Sequence, residues 1–162
     1  MFREKYKDLQ YIVLELELLR KHNSSFSPGK SNDYRLLFSQ VALTLLCLER
    51  FLRILPGVEE AAIKRTKKGK KAATLAEFLR GATDIKILAI KNKDEVIKQV
   101  TDVRNSILHG NFEQCARECN KNSVEEYFKL VFAGEVEALY KFTKHLMDQI
   151  NSDTGKRYEK VT

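Results

Sequence analysis

Hydrophobic residues recur at helical spacing over four long segments of the chain. These segments are Phe2–His22, Asp33–Leu55, Asp94–His109 and a last one that runs from Ser123 to Ile150. Within each segment apolar residues return every three or four positions, which matches the 3.6-residue turn of an α-helix. No segment shows the clear alternation of a half-buried strand. The pattern therefore predicts four main helices.

The apolar positions also predict which face of each helix is buried. In the first helix they are Tyr6, Leu9, Tyr11, Ile12, Leu14, Leu18 and Leu19. In the helix that ends at His109 they are Val96, Val100, Val103 and Ile107. In the last helix they are Tyr127, Leu130, Val131, Val136, Leu139, Tyr140, Phe142, Leu146 and Met147. The helix Asp33–Leu55 is apolar on most sides, so we expect it either at the centre of a bundle or in an oligomer interface.

Turn and capping signals separate these helices. The segment Asn23–Asn32 is rich in Ser, Asn, Pro and Gly and is predicted to be a loop, and Pro56-Gly57 ends the second helix. Thr74–Glu77 is a capping box that opens a short helix ending near Gly81, and Ser123–Glu126 is a capping box that opens the last helix. Two segments stay open at this level. Residues 85–90 fit a helical turn or an extended segment, and residues 112–122 fit a further short helix.

A strongly basic segment lies between the second helix and the Thr74 capping box. We predict a mobile loop over residues 58–72, because the block KRTKKGKK repels itself and cannot enter a core. The candidates for RNA contact in this segment are Lys64, Arg65, Lys67, Lys68, Lys70 and Lys71. Lysine and arginine neutralise phosphates and release counterions, so the block could follow an RNA backbone. A solvated loop without a ligand is the alternative.

Length and composition agree with a single all-α domain. The chain has 162 residues with only 7 Gly and 2 Pro, so long stretches run without a helix breaker. We find no linker between two cores, and we expect one domain over residues 1–162, with a polar tail that frays after about residue 151. The predicted fold is a helical bundle of four main helices plus one or two short helices.

Charge and cysteine content indicate the surroundings of the protein. The net charge of +7 favours an anionic partner, above all a nucleic acid. The 3 cysteines are an odd number, no secretory signal precedes them, and the chain is large enough to fold without disulfides, so we expect a cytoplasmic protein. The most apolar run, VALTLLCL, is too short to span a bilayer, so no membrane partner is expected.

The end of the helix at Asp94–His109 carries the residues with the clearest chemical meaning. The hexad RNSILH places Arg104, Asn105 and His109 just before Gly110, which is suited to a left-handed position after a helix. Asn105 and His109 share the face opposite the valine stripe, together with Asp102. Arg104 and His109 are five residues apart, so on a straight helix they diverge by about 140°. They converge only if the helix loosens at its end or if a second copy of the helix faces the first.

This Arg-Asn-x3-His hexad near a helix end, in a small all-helical domain, resembles the HEPN superfamily (higher eukaryotes and prokaryotes nucleotide-binding). The family signature is an arginine, four to six residues and then a histidine, and the position after the arginine is often polar. The resemblance implies a HEPN-like fold and a metal-independent endoribonuclease that needs no cofactor. It also implies a homodimer in which the two hexads face each other.

The residue types suit the cleavage of RNA by attack of the 2′-OH on the adjacent phosphorus. Histidine can take or give a proton near neutral pH, and the planar guanidinium of arginine suits a phosphate. We therefore predict His109 as the acid or base, Arg104 on the phosphate and Asn105 as an orienting residue. Such an enzyme fits the toxin half of a toxin–antitoxin or phage-defence system, with a cognate antitoxin or a nucleotidyltransferase-type protein as partner.

Two other classes of function remain open. One is a non-catalytic helical module that binds RNA, a nucleotide or a protein, and the other is a structural bundle that dimerises through the second helix. In both, His109 only caps a helix, and Arg104 only extends its side chain towards water or forms an ion pair. The chain contains no P-loop, dinucleotide fingerprint or serine nucleophile elbow. Cys115 and Cys119 supply only half of a structural zinc site, so no metal is expected.

Overall fold

A computed structural model describes residues 2–24, 34–66 and 73–150, and the regular secondary structure in these parts of the chain is helical, without a strand. The helices are α1 (Phe2–Ser24), α2 (Tyr34–Ile54), α3 (Val58–Lys64), α4 (Leu75–Asp84), α5 (Lys93–His109), α6 (Phe112–Glu118), α7 (Val124–Tyr127) and α8 (Ala133–Gln149). A π-helical segment, Phe128–Phe132, joins α7 to α8 in one continuous helix. The predicted all-α bundle with four main helices is thus confirmed. The structure has three short helices, α3, α4 and α6, where one or two were expected.

The second main helix, α2, is the central element of the bundle. Helices α1, α3, α4 and α8 all pack against it. Its fully buried apolar residues are Val41, Cys47, Leu48, Phe51 and Leu52. Gln40 and Thr44 are also buried, and the Thr44 hydroxyl donates to the carbonyl oxygen of Gln40 at 2.7 Å. Of the two positions expected for this helix, the structure shows the central one, because neighbouring helices of the same chain cover most of its apolar surface.

Helix α1 buries only some of the residues predicted for its apolar face. Leu9, Val13 and Leu16 lie in the core, whereas Tyr11, Leu14 and Leu18 are 71%, 57% and 63% exposed. Ion pairs between α1 and α8 hold this orientation, since Arg20 Nε donates to Glu137 Oε1 at 3.1 Å and Lys144 Nζ lies 3.1 Å from Glu17 Oε1. The prediction that Tyr11, Leu14 and Leu18 are core residues was therefore wrong.

The segment predicted as a loop over residues 58–72 begins with a helix, which corrects that prediction. Helix α3 spans Val58–Lys64 and buries Val58 and Ala62. Its first turn carries Glu59 and Glu60, which interact favourably with the positive end of the helix dipole. The prediction of a loop from residue 58 was wrong because the basic block, on which it depended, starts only at Lys64, the last residue of α3.

Helix α4 packs against α3 at very short range. The capping box at Thr74 is confirmed: the Glu77 backbone N–H donates to Thr74 Oγ1 at 3.4 Å, and the Thr74 N–H donates to Glu77 Oε2 at 2.6 Å. The helix continues to Asp84 rather than ending near Gly81. Gly81 lies inside it, against the backbone of α3 at Ala62. Residues 85–90, left open above, form turns rather than a strand.

The last helix begins at the predicted cap, where Ser123 Oγ accepts from the Glu126 backbone N–H at 3.1 Å. The π-helical segment then adds a residue to one turn and rotates the faces that follow. Phe128 and Phe132 are buried, whereas Leu130 is 64% exposed. Leu130 lies two residues from each phenylalanine, which is about half a turn, so it faces away from the core and its prediction as a core residue was wrong. Among the described residues, no helix is both long and apolar enough to cross a membrane.

Candidate functional site

The predicted site residues lie at the C-terminal end of α5. His109 is the last residue of the helix and is exposed, and Asn105 lies one turn earlier and is half-buried. Gly110 follows in the left-handed conformation, with φ 62° and ψ 22°, as its sequence position predicts. Asn105 and His109 are four residues apart, so they share one face of the helix.

Within one chain the structure does not bring Arg104 to the face of His109. The Gly110 backbone N–H donates to the carbonyl oxygen of Ser106 at 2.9 Å, so the α-helical ladder stays regular to its end. A regular helix turns about 100° per residue, and five residues therefore separate the two side chains by about 140°. The helix end therefore does not loosen so as to bring the two side chains together.

Arg104 is held from the neighbouring central helix. Its Nε donates to Glu49 Oε1 of α2 at 3.4 Å, and the two side chains are 34% and 39% exposed. Among the described residues, this is the contact shown for the guanidinium, and its two terminal nitrogens remain as donors. Glu49 therefore fixes the side chain without occupying all five donors. The sequence gives no signal for this partner, which lies 55 positions away in the chain.

The six basic residues predicted to contact RNA are only partly described. Lys64 is exposed at the end of α3. Arg65 forms a two-pronged ion pair with Asp84 of α4, in which its Nη2 lies 2.7 Å from Asp84 Oδ1. Hydrogen bonding to Asp84 raises the pKa of Arg65 and lowers the pKa of Asp84. The other four, Lys67, Lys68, Lys70 and Lys71, lie outside the described residues.

A cavity of about 730 Å³ lies beside the same helix, between α5, α6 and the last helix. Val100, Tyr127 and Leu139 are its buried lining residues, and Leu130 and Gly134 are exposed at its rim. The sequence analysis missed this cavity. The one signal in the sequence was Gly134, a residue that disfavours helix in a segment that is otherwise strongly helical.

A tyrosine–glutamate pair is the main polar feature of this cavity. The Tyr127 hydroxyl donates to Glu135 Oε2 at 3.1 Å. Burial raises the pKa of Tyr127, and the negative charge of Glu135 raises it further. Burial also raises the pKa of Glu135, although the hydrogen bond from Tyr127 acts in the opposite direction. The pair is thus held in surroundings that disfavour negative charge.

Cysteines complete the lining on the side of α6. Cys115 Sγ lies 3.3 Å from the Ser106 hydroxyl of α5, and burial raises the pKa of Cys119. Across the described part of the chain, no group of three or more His, Cys, Asp or Glu side chains could hold a metal ion. Cys47 is buried in α2, where burial raises the pKa of its thiol to about 11 and keeps it protonated.

The raised pKa of Glu135 predicts a pH dependence of stability. The folded chain holds this proton more tightly than the unfolded chain, so the stability that protonated Glu135 contributes at acid pH is lost as the pH rises through its folded pKa. Tyr127 and Asp102 act directly on it, and Cys115, Cys119 and Glu118 are the other titratable groups that line the cavity. We expect Glu135→Gln to gain stability relative to the wild type as the pH rises above about 4.3, the ordinary pKa of a glutamate carboxyl.

Urea unfolding at several pH values measures this difference between the two proteins. Glu113→Gln, on the exposed face of α6, is the matched control and should show no such trend. A difference between wild type and Glu135→Gln that stays constant across the range would contradict the burial of an ionised carboxylate.

The fold and the α5 end together describe an all-α bundle with a polar, solvent-facing helix terminus. No protein-family model, curated protein or solved structure matches this chain.

Proposed function

We propose that the protein is a metal-independent endoribonuclease that acts as a homodimer, with Arg104, Asn105 and His109 at the cleavage site. The observation that carries this proposal is the arrangement of the α5 end. An imidazole and an amide lie on one accessible helix face, a guanidinium lies on the neighbouring face, and all three precede a left-handed glycine. The resemblance of this hexad to the HEPN signature gives the reaction type.

The chemistry divides among the three residues according to their type. The imidazole of His109 takes the proton from the 2′-OH or gives a proton to the departing 5′-oxygen, as the 2′-oxygen forms its bond to phosphorus. The guanidinium of Arg104 binds the non-bridging oxygens, on which negative charge increases. The Asn105 amide lies one turn before His109 and orients the imidazole or the phosphate. No metal ion is needed for these steps.

An exposed apolar residue within the hexad supports a second copy of the chain at this place. Leu108 is 61% exposed, directly beside His109 and one turn after Arg104. Residues 104 and 108 share a face, so an isologous contact there would bury Leu108 and place the two hexads opposite each other. In that arrangement Arg104 of one chain and His109 of the other reach the same phosphodiester.

The decisive first experiment is cleavage of labelled single-stranded RNA by the purified protein in EDTA. Cleavage that persists in EDTA and yields 2′,3′-cyclic phosphate ends is expected, because the 2′-oxygen is the nucleophile and no metal takes part. Cleavage that EDTA abolishes would indicate a metal enzyme and contradict the proposal. Absence of cleavage on every single-stranded RNA tested would leave the non-catalytic binding module as the better description.

The Arg104–Glu49 contact is the observation that favours the non-catalytic alternative, and it can be tested directly. If Arg104 binds the scissile phosphate, Arg104→Ala should lower the cleavage rate by about 10²–10³-fold, the loss typical of a residue that stabilises transition-state charge. Glu49→Gln should keep most of the activity, since a neutral amide still accepts the bond from Nε.

Urea unfolding of the same variants separates this outcome from a purely structural role. If Arg104 serves only the contact with Glu49, Arg104→Ala should lower the stability of the protein, and cleavage per folded molecule should be unchanged in both variants. The cleavage rate therefore has to be normalised to the folded fraction before the variants are compared.

A further inference from the structure

The cavity beside α5 has the size of a small-molecule site. Its volume of about 730 Å³ lies within the range of about 300–1,000 Å³ that is usual for such sites. The lining is mainly apolar, with Val96, Val103, Val131 and Phe142 half-buried along its walls. This cavity is independent of the proposed cleavage site, because neither Arg104 nor His109 lines it.

The charge of the lining is opposite to the charge of the protein. Asp102, Glu118 and Glu135 are carboxylates, and no Lys, Arg or His is among the described residues that line the cavity. The whole chain, in contrast, has 29 Lys and Arg against 22 Asp and Glu. Lys98 pairs with Asp102 at 2.7 Å at the α5 side of the rim. Glu135 lies on the opposite wall, where Tyr127 is the hydrogen-bond partner that the described part of the chain shows for it.

The carboxylate of Glu135 has capacity for a further partner. A carboxylate accepts up to about four hydrogen bonds, and the Tyr127 hydroxyl supplies one. The negative charge of Glu135 is partly removed from water, and the negative charge of Asp102 lies near it. A cationic donor in the cavity would relieve both costs, whereas an anionic ligand would add to them.

Gly134 gives separate support for a cavity that is kept open. It is an exposed residue in the first turn of α8, and a Cβ built on it would meet nothing within 4 Å. Glycine in a helix costs about 1 kcal/mol relative to alanine. No packing constraint among the described residues explains this glycine, because the position of its Cβ is open. A side chain at this position would project at the rim of the cavity and reduce its volume. The preceding π-helical segment also borders the cavity with Leu130 and Val131, and such segments are often found at functional sites.

We propose that this cavity binds a small amphipathic organic cation, an amine with an apolar body. The ammonium group lies against the Glu135 carboxylate, and the hydrocarbon part lies on the valine and leucine side chains of α5 and α8. The aromatic rings of Tyr127 and Phe142 add apolar contact area, and their faces attract a cation.

Octylamine, octan-1-ol and octanoate form a matched set of probes, since they share one chain and differ in charge. Octylamine is protonated at neutral pH, as a lysine side chain is. Isothermal titration calorimetry with the full-length protein should show saturable octylamine binding at least about tenfold tighter than octanol binding, the difference expected for a hydrogen bond to a charged group. Octanoate should bind most weakly.

Two variants and one control then locate the binding. Glu135→Gln should weaken octylamine binding about tenfold and leave octanol binding unchanged. Gly134→Leu should abolish binding of both probes, and it is expected to fold because the space beside Gly134 is open. Glu113→Gln, an exposed carboxylate of α6 outside the cavity, should bind as the wild type does.

Several results would overturn this proposal. One is equal binding of the three probes, and another is an absence of saturable octylamine binding up to about 1 mM. Octylamine binding that is the same in Glu135→Gln and wild type would also overturn it, whatever the fate of the Gly134→Leu variant. None of these results depends on whether the protein cleaves RNA.

Discussion

His109→Ala should lower the rate of RNA cleavage by about 10²–10⁴-fold, the usual loss for a general acid or base. The imidazole is exposed at the last position of α5, so its removal leaves no cavity. Stability should therefore change by no more than about 0.5 kcal/mol, as for most surface substitutions. Cleavage of labelled RNA in EDTA measures the first effect, and urea unfolding measures the second.

The chain offers a matched control for this variant. His145 is another exposed histidine on a helix, in α8 and away from the hexad. His145→Ala should cleave RNA at the wild-type rate. Full activity of His109→Ala, or an equal loss in both variants, would remove His109 from the cleavage site.

A mixture of inactive variants tests whether the site is shared between two chains. Arg104→Ala and His109→Ala should each be inactive alone. In a mixed dimer one site combines Arg104 of one chain with His109 of the other and is intact. At equal concentrations with free exchange of subunits, half of the dimers are mixed. Each mixed dimer has one intact site out of two, so about one quarter of the wild-type activity should return. No recovery, with exchange shown by native mass spectrometry, would contradict a composite site.

The sequence predicted the helices better than the faces by which they pack. Helix α1 has one apolar stripe through Leu9, Val13 and Leu16 and another, almost opposite, through Tyr11 and Leu14. Periodicity gives both stripes equal weight. The choice between them depends on which stripe fits α2 and lets Arg20 and Glu17 reach α8, and these contacts are not local in sequence.

Two further departures have equally physical causes. In the last helix Leu130 is exposed because it lies about half a turn from both Phe128 and Phe132, which face the core. Beside α5, the cavity leaves Val96 and Val103 only half-buried, whereas Ile97, outside the predicted stripe, is 1% exposed. If α5 packed on a continuous core, its valine stripe would be buried as the sequence pattern predicts.

The candidate site shows the same division between local and distant information. The capping glycine and the exposed end of α5 follow from the hexad and its neighbour Gly110 alone. The contact of Arg104 with Glu49, the cavity next to α5 and the Tyr127–Glu135 pair join separate elements. The sequence pattern of a single helix cannot predict such contacts between separate elements.

One substitution made at two glycines should change stability in opposite directions. Gly81→Ala should destabilise the protein by up to about 2 kcal/mol, because forcing extra volume into a packed core usually costs about 1–3 kcal/mol and the helix regains about 1 kcal/mol. A Cβ at Gly81 would lie 2.8 Å from the Ala62 backbone nitrogen and 3.1 Å from the Ala61 carbonyl carbon of α3. These are backbone atoms, so α3 as a whole has to move. That cost exceeds the gain of about 1 kcal/mol that alanine brings to a helix.

Gly134→Ala is the matched substitution and should stabilise the protein by about 0.5–1 kcal/mol. Gly134 is also helical, but nothing lies within 4 Å of the added Cβ, so only the gain in helix propensity remains. Urea unfolding with equal slopes for both variants gives the two free energies directly. Shifts of the same sign in the two variants would contradict the close approach of α3 and α4. The basic block starts at Lys64, the last residue of α3. The packing of α3 against α4 therefore also sets the position of the first residue of this block.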